Sequence, residues 1–179
     1  MKYLKTFENK KPERIVKYYD NGNIKNIEYK INDKYHRKDG PAYQKWYENG
    51  QIEEEAYYIN GRYHRKDGPA YQKWYKDGKK YKETYYINGK IHREDGPAYQ
   101  VWYENGQKKS EMYFKNNILH KEDGPAYQIW LNNGKLDKKV YYLNNIQYDR
   151  EDWLEKLKEI KSLHYKEQKM LYDMEKYNL

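Results

Sequence analysis

Apolar and polar residues alternate along this chain in short runs broken by glycine. From Pro41 to Tyr47, Ala42, Gln44 and Trp46 fall on one side of an extended strand and Tyr43, Lys45 and Tyr47 on the other, which is the two-residue period of β structure. Glu48-Asn49-Gly50-Gln51 then turns the chain, because glycine and Asn/Asp tolerate positive φ. Ile52 to Ile59 predicts a second strand, and Asn60-Gly61 a tight hairpin onto a short third strand near Arg62 to Arg65. Lys66-Asp67-Gly68-Pro69 leads onward, with proline where a strand begins and no ladder donor is required.

The whole pattern recurs. His36-Arg-Lys-Asp-Gly-Pro-Ala-Tyr-Gln-Lys-Trp-Tyr47 returns at His64, His92 and His120, each time 28 residues later. A fixed period of that size marks one supersecondary unit copied end to end, with neighbours burying each other's apolar faces. The expected fold is mainly β: an elongated antiparallel β-meander of 28-residue repeats over residues 1–148, with full units from 36, 64, 92 and 120. A degraded first unit covers about 14–35, behind a lead-in that carries Pro12. It has Tyr18 at the tryptophan position, Asn21-Gly22 at the turn and Tyr29 at the recurring tyrosine, and it lacks the His-Arg-x-Asp-Gly-Pro-Ala segment. Such an atypical terminal copy is what a cap requires, since its outer face meets water.

From Asp149 the period changes. Trp153, Leu154, Leu157, Ile160, Leu163, Met170, Leu171 and Met174 fall mainly at spacings of three, four and seven, which predicts an amphipathic helix or helical hairpin over 149–179 with Asp149 as N-cap. The polar stretch His164 to Lys169 marks where it would break in two. The expected role of this tail is to cover the open last strand, since bare edges invite aggregation.

Composition narrows the class. Only 37% of the residues are hydrophobic and 25 are tyrosines, whose flat apolar bodies and wet hydroxyls suit a thin sheet with half-exposed faces. There is no cysteine, hence no disulfide framework and no thiolate metal site. No apolar run reaches membrane-spanning length, and the start Met1-Lys-Tyr-Leu-Lys-Thr-Phe lacks the apolar core of a signal peptide. The expectation is a cytoplasmic protein, in a bacterial cell or an infected host, without membrane contact. The net charge of +8 is uneven: residues 1–35 carry nine bases against five acids, and residues 64–91 eight against three.

The periodic histidines do not predict a metal centre. Units of two or three strands at ~4.8 Å spacing hold successive copies ~10 to 14 Å apart, whereas one zinc ion needs its ligands at ~2 Å. Each histidine and the aspartate three residues on (Asp39, Asp67, Asp95, Asp123) are read instead as satisfying backbone groups in the turn. Catalysis needs one convergent constellation, and a motif copied four times supplies none. The expectation is therefore a non-enzymatic protein with no cofactor and no metal.

Tryptophan, alanine and glutamine recur in all four full copies, which predicts a shared packing seam; a specific contact site should lie where the copies differ. They differ most on the second strand. There, period-two alternation puts Lys80 and Lys82 on one face, with Lys108 the equivalent of Lys80 one unit on. Together with Lys73, Lys76, Lys79 and Lys109 these form the candidate partner-binding patch.

At these residues the chain resembles the MORN-type repeats, in the variant with a His-Arg-x-Asp-Gly-Pro-Ala core followed by Trp-Tyr-x-Asn-Gly. The likeness covers about residues 14–148 and departs from the usual unit, which is shorter and richer in glycine. It implies stacked antiparallel hairpins serving as a binding scaffold. Similar repeats occur in bacterial proteins labelled as antitoxins, in phages and in large DNA viruses. The function so implied is to recognise and restrain another macromolecule, a protein or ribonucleoprotein, as an antitoxin or a phage inhibitor of bacterial defence. Two alternatives stay open: a single-stranded RNA- or DNA-binding protein using the lysines and aromatics, and a self-assembling scaffold of unspecified oligomeric state.

Overall fold

The computed structural model describes residues 10–177, so the start of the lead-in and the last two residues lie outside the described residues. The first unit contains β1 (Glu13–Tyr18), β2 (Ile24–Ile31) and β3 (Lys34–Tyr35); the second, β4 (Tyr43–Trp46), β5 (Ile52–Ala56), β6 (Tyr58–Ile59) and β7 (Arg62–Tyr63). The third is β8 (Tyr71–Trp74), β9 (Lys80–Thr84), β10 (Tyr86–Ile87) and β11 (Lys90–Ile91), and the fourth β12 (Tyr99–Trp102), β13 (Lys108–Met112), β14 (Phe114–Lys115) and β15 (Ile118–Leu119). The fifth is β16 (Tyr127–Trp130), β17 (Leu136–Leu143) and β18 (Ile146–Tyr148), followed by the helix α1 (Arg150–Tyr177).

The first two strands of every unit join one antiparallel sheet of 12 strands in the order β1-β2-β4-β5-β8-β9-β12-β13-β16-β17-β18, with β3 on β2. The expected single strand Ile52–Ile59 is split. β5 stays in the large sheet, whereas β6 turns off at Tyr57 to pair with β7 in a two-stranded hairpin of its own. In both terminal units the corresponding strands, β2 and β17, run on unbroken. Asn60 and Gly61 take φ of 52° and 76° at the hairpin tip, the left-handed pair that a two-residue turn demands.

Contacts one period apart hold the units in line. The Tyr47 hydroxyl donates to the Trp74 carbonyl at 2.8 Å, and Tyr19, Tyr75 and Tyr103 repeat the bond on Trp46, Trp102 and Trp130. The short hairpins are linked too, Gly61 N–H to the Tyr35 carbonyl and Gly89 N–H to Tyr63, both at 2.8 Å. Ala42, Ala56, Ala70, Ala98 and Ala126 are fully buried where the backbones approach.

The hairpins fold against one face of the large sheet, where their partly buried tyrosines interlock with those of the sheet. Tyr63 stacks on Tyr58 at 4.2 Å and on Tyr86 at 4.8 Å, and meets the sheet residue Tyr71 edge-on at 5.9 Å. Tyr35 does the same with Tyr58 and Tyr43. Offset and edge-to-face contacts are the preferred aromatic geometries. Burial pushes the Tyr43 hydroxyl up to about 12 and raises Tyr58 and Tyr71 further.

The tail is one continuous helix, with no break at His164–Lys169. Asp149 caps it, its carboxylate accepting the Glu151 and Asp152 N–H groups at 2.9 Å. Only its first turns dock: Trp153 and Leu157 pack on Leu143, with Tyr141, Tyr148 and Ile160 around them. The helix thus seals the hairpin end of the fifth unit, while Leu136 to Lys139 on β17 stay exposed. The strand edge expected to be covered is open. Beyond Ile160, Leu163, Met170, Leu171 and Met174 face solvent. Among the described residues no helix is long and apolar enough to cross a membrane.

Candidate interaction surface

A bulge decides where the lysines point. Lys73 pairs with Lys82, yet the next residue, Trp74, pairs with Lys80, so Tyr81 is extra on its strand. Glu53, Lys109 and Asp137 are extra at the equivalent places. One inserted residue reverses the alternation. Lys80 therefore lies on the tryptophan face, its Nζ 5.3 Å from the Trp102 ring and 2.6 Å from Glu83. Lys108 repeats this, 5.3 Å from the Trp130 ring and 2.5 Å from Glu111. Lys82 is on the opposite, hairpin-covered face, between Tyr71 and Tyr99 at 5.5 and 4.8 Å, where burial lowers its pKa.

The expected single row of Lys80, Lys82 and Lys108 is thus divided between two faces. Of the other lysines, Lys73 shares the covered face and approaches Glu53 at 3.6 Å. Lys76, Lys79 and Lys109 sit at the turn edge, Lys79 bound to Asp77 at 2.7 Å and Lys109 5.4 Å from the Tyr103 ring. What the structure brings together is Lys80 and Lys108 with the tryptophans. Carboxylates three residues on, brought to the same face by the bulge, offset both charges, a pairing that alternation without the bulge hides.

Trp46, Trp74, Trp102 and Trp130 are partly exposed rather than a closed seam. The deeply buried seam is alanine. On the tryptophan face a second row alternates glutamine and glutamate; Gln44 Nε2 donates to Glu55 at 2.7 Å, and Glu83 and Glu111 are buried beneath their lysines.

The histidines tie neighbouring units. Nδ1 of His36, His64, His92 and His120 accepts the backbone N–H of Asn60, Asn88, Asn116 and Asn144 at 3.1 to 3.2 Å. The aspartates do more than expected: Asp39, Asp67 and Asp95 bond backbone N–H in the turn and each also pairs with the arginine two residues earlier, at 2.8 to 3.0 Å, which holds their carboxyls below the usual range. Those arginines lie over the rings of Tyr29, Tyr57 and Tyr85, 4.1 Å from the centroids. A Cβ on Gly40 would come within 2.9 Å of the Arg37 guanidinium, so glycine is the residue that admits the arginine.

Against known proteins, the family model described as MORN repeat variant matches residues 42–60 and 98–116. The matches fall on two of the five units, the second and the fourth, which are MORN-type repeats. Both matched stretches run from a buried alanine through the tryptophan strand, the bulge and the second strand to the asparagine of the hairpin turn. No curated protein and no solved structure matches the chain. In these MORN-type units the motif residues Tyr, Trp, His and Arg make the contacts between copies, whereas the bulge and the first position of the second strand vary.

Proposed function

We propose that the chain is a non-enzymatic binding scaffold whose tryptophan face recognises and restrains a protein partner. One observation carries the reading: a regular row of partly exposed tryptophans with Lys80 and Lys108 laid over two of them. Tryptophan, tyrosine and arginine are enriched where interfaces concentrate their energy, and ammonium groups over indole present an apolar surface with a cationic rim. Because Glu83 and Glu111 offset these lysines, the face suits a mixed protein surface better than a phosphate backbone, which draws on uncompensated cations. Restraint of an effector in the cytoplasm, as an antitoxin or an inhibitor of bacterial defence, is the form of this reading that the likeness to antitoxin-labelled and phage repeats supports.

The test is capture from a bacterial lysate, with and without nuclease, by the parent chain and by Lys80→Gln/Lys108→Gln. A protein retained after nuclease and lost with the variant is the expected result. Retention by the variant, or loss on nuclease treatment, overturns it.

A further inference from the structure

The loops between units form a second surface, separate from the tryptophans. Successive His-Arg-x-Asp-Gly-Pro loops leave a cleft between them, and three such clefts follow one another along the array. They are equivalent, with volumes of about 570 Å³ for the middle one and 560 Å³ for the outer two. Tyr57 and Ile59 line the first, Tyr85 and Ile87 the second, Tyr113 and Phe114 the third, with Arg65, Arg93 and Lys121 over the three tyrosine rings.

Their charge changes steadily. The first cleft has four cations, Arg37, Lys38, Arg65 and Lys66, against Asp39 and Asp67. The second has three, Arg65, Lys66 and Arg93, against the three carboxylates of Asp67, Glu94 and Asp95. In the third the carboxylates of Glu94, Asp95, Glu122 and Asp123 outnumber Arg93, Lys115 and Lys121. The residue after the arginine position sets this gradient, Lys38 and Lys66 giving way to Glu94 and Glu122, all four exposed.

Spacing selects the ligand. Each unit adds two strands to the large sheet, so neighbouring clefts lie ~9.6 Å apart at ~4.8 Å per strand. A polyproline II helix has three residues per turn at ~3.1 Å each, which returns a side chain to the same side every ~9.3 Å. A β-strand repeats at ~6.8 Å and an α-helical turn at ~5.4 Å; neither fits. Grooves lined by aromatic side chains are the usual seats of such helices, and here Tyr57, Tyr85 and Tyr113 line the clefts beneath their cations. We propose that the loop edge binds an extended polyproline II segment of a partner protein. The segment places every third side chain in a cleft, an acidic one between Lys38 and Lys66 and a basic one, six residues away, between Glu94 and Glu122.

The probe is the fluorescein-labelled peptide Pro-Pro-Glu-Pro-Pro-Tyr-Pro-Pro-Lys-Pro-Pro, titrated with the full chain at low salt. Its control carries one more proline in each interval, so that Glu, Tyr and Lys recur every fourth residue. The expected result is at least tenfold tighter binding of the three-residue period, and a loss of at least tenfold with Lys38→Glu/Lys66→Glu. Should that variant melt early, Lys38→Gln/Lys66→Gln is read in the same way. Equal affinity for the two peptides, unchanged affinity in the variants, or no binding at millimolar peptide overturns the proposal. Reversal of Lys80 and Lys108 leaves this binding unchanged, which separates the loop edge from the tryptophan face.

Discussion

The two faces of the large sheet use aromatic residues in opposite ways. On the covered face, tyrosines from the hairpins and the sheet interlock, Tyr63 touching Tyr58, Tyr71 and Tyr86. On the other, tryptophans as partly exposed as those tyrosines stand in a row, topped by lysine in the second half of the array. Recurrence in the sequence is the same for both, so an invariant aromatic within a repeat does not by itself mark the core. What separates them is the hairpin, which the chain sends to one side only.

Substitutions on the two faces should therefore differ in size. The largest effect is expected from Tyr63→Ala, which removes three ring contacts from the covered face and should cost about 3 kcal/mol in a denaturant titration. Trp102→Ala, on the other face, should cost only about 1 to 2 kcal/mol, since that ring is topped by the flexible Lys80 side chain, whereas Tyr63 is held by three rings. If the two losses prove equal, ring-on-ring packing adds nothing over the lysine-topped tryptophans and the contrast fails.

Thr84 sharpens the comparison from the other direction. It is 1% exposed, its hydroxyl has no hydrogen-bond partner among the described residues, and Ala56 and Val140 stand at the equivalent places. Thr84→Val keeps the shape and removes an unpaired buried dipole, so a gain of about 1 kcal/mol is expected. A loss would mean that the hydroxyl is satisfied.

The smallest effect concerns Glu54, on the covered face opposite Lys73. Burial raises its pKa above the ordinary 4.5, Lys73 only partly countering it. An acid whose folded pKa lies above its unfolded one destabilises the fold when ionised, so this cost is absent below the unfolded value and grows as pH rises through the folded value. Glu54→Gln should raise the melting temperature at pH 7, and the difference should vanish below about pH 4. A gain that persists in acid would point to packing instead.

Much of this architecture is legible in the chain. The Asn-Gly and Asp-Gly pairs fix the turns because few residues accept positive φ, the 28-residue period fixes the number of units, and Asp149 announces the helix. The lysine row failed for one reason: period-two alternation assumes an uninterrupted ladder, and Tyr81 and Lys109 are extra residues in theirs. A sign was available, since Lys80 and Lys108 each precede a glutamate by three residues, a spacing that meets on one face of a strand only across a bulge. The split at Tyr57 and the clefts depend on contacts between units, which a single copy does not encode. The helix stays whole through His164–Lys169 because nothing there breaks it: the stretch is polar but holds neither glycine nor proline.

The tyrosine hydroxyl ladder has a last rung. Tyr103 reaches the Trp130 carbonyl, but the next tyrosine position is Leu131, which has no hydroxyl and lies 44% exposed. Duplication of an internal stretch such as residues 64–91 would reproduce every rung of this ladder, because its donor and acceptor always sit 27 residues apart. A copy added after Tyr148 would find no donor waiting and would displace the docked start of the helix. The hydroxyl ladder can be lengthened from within, but not after Tyr148.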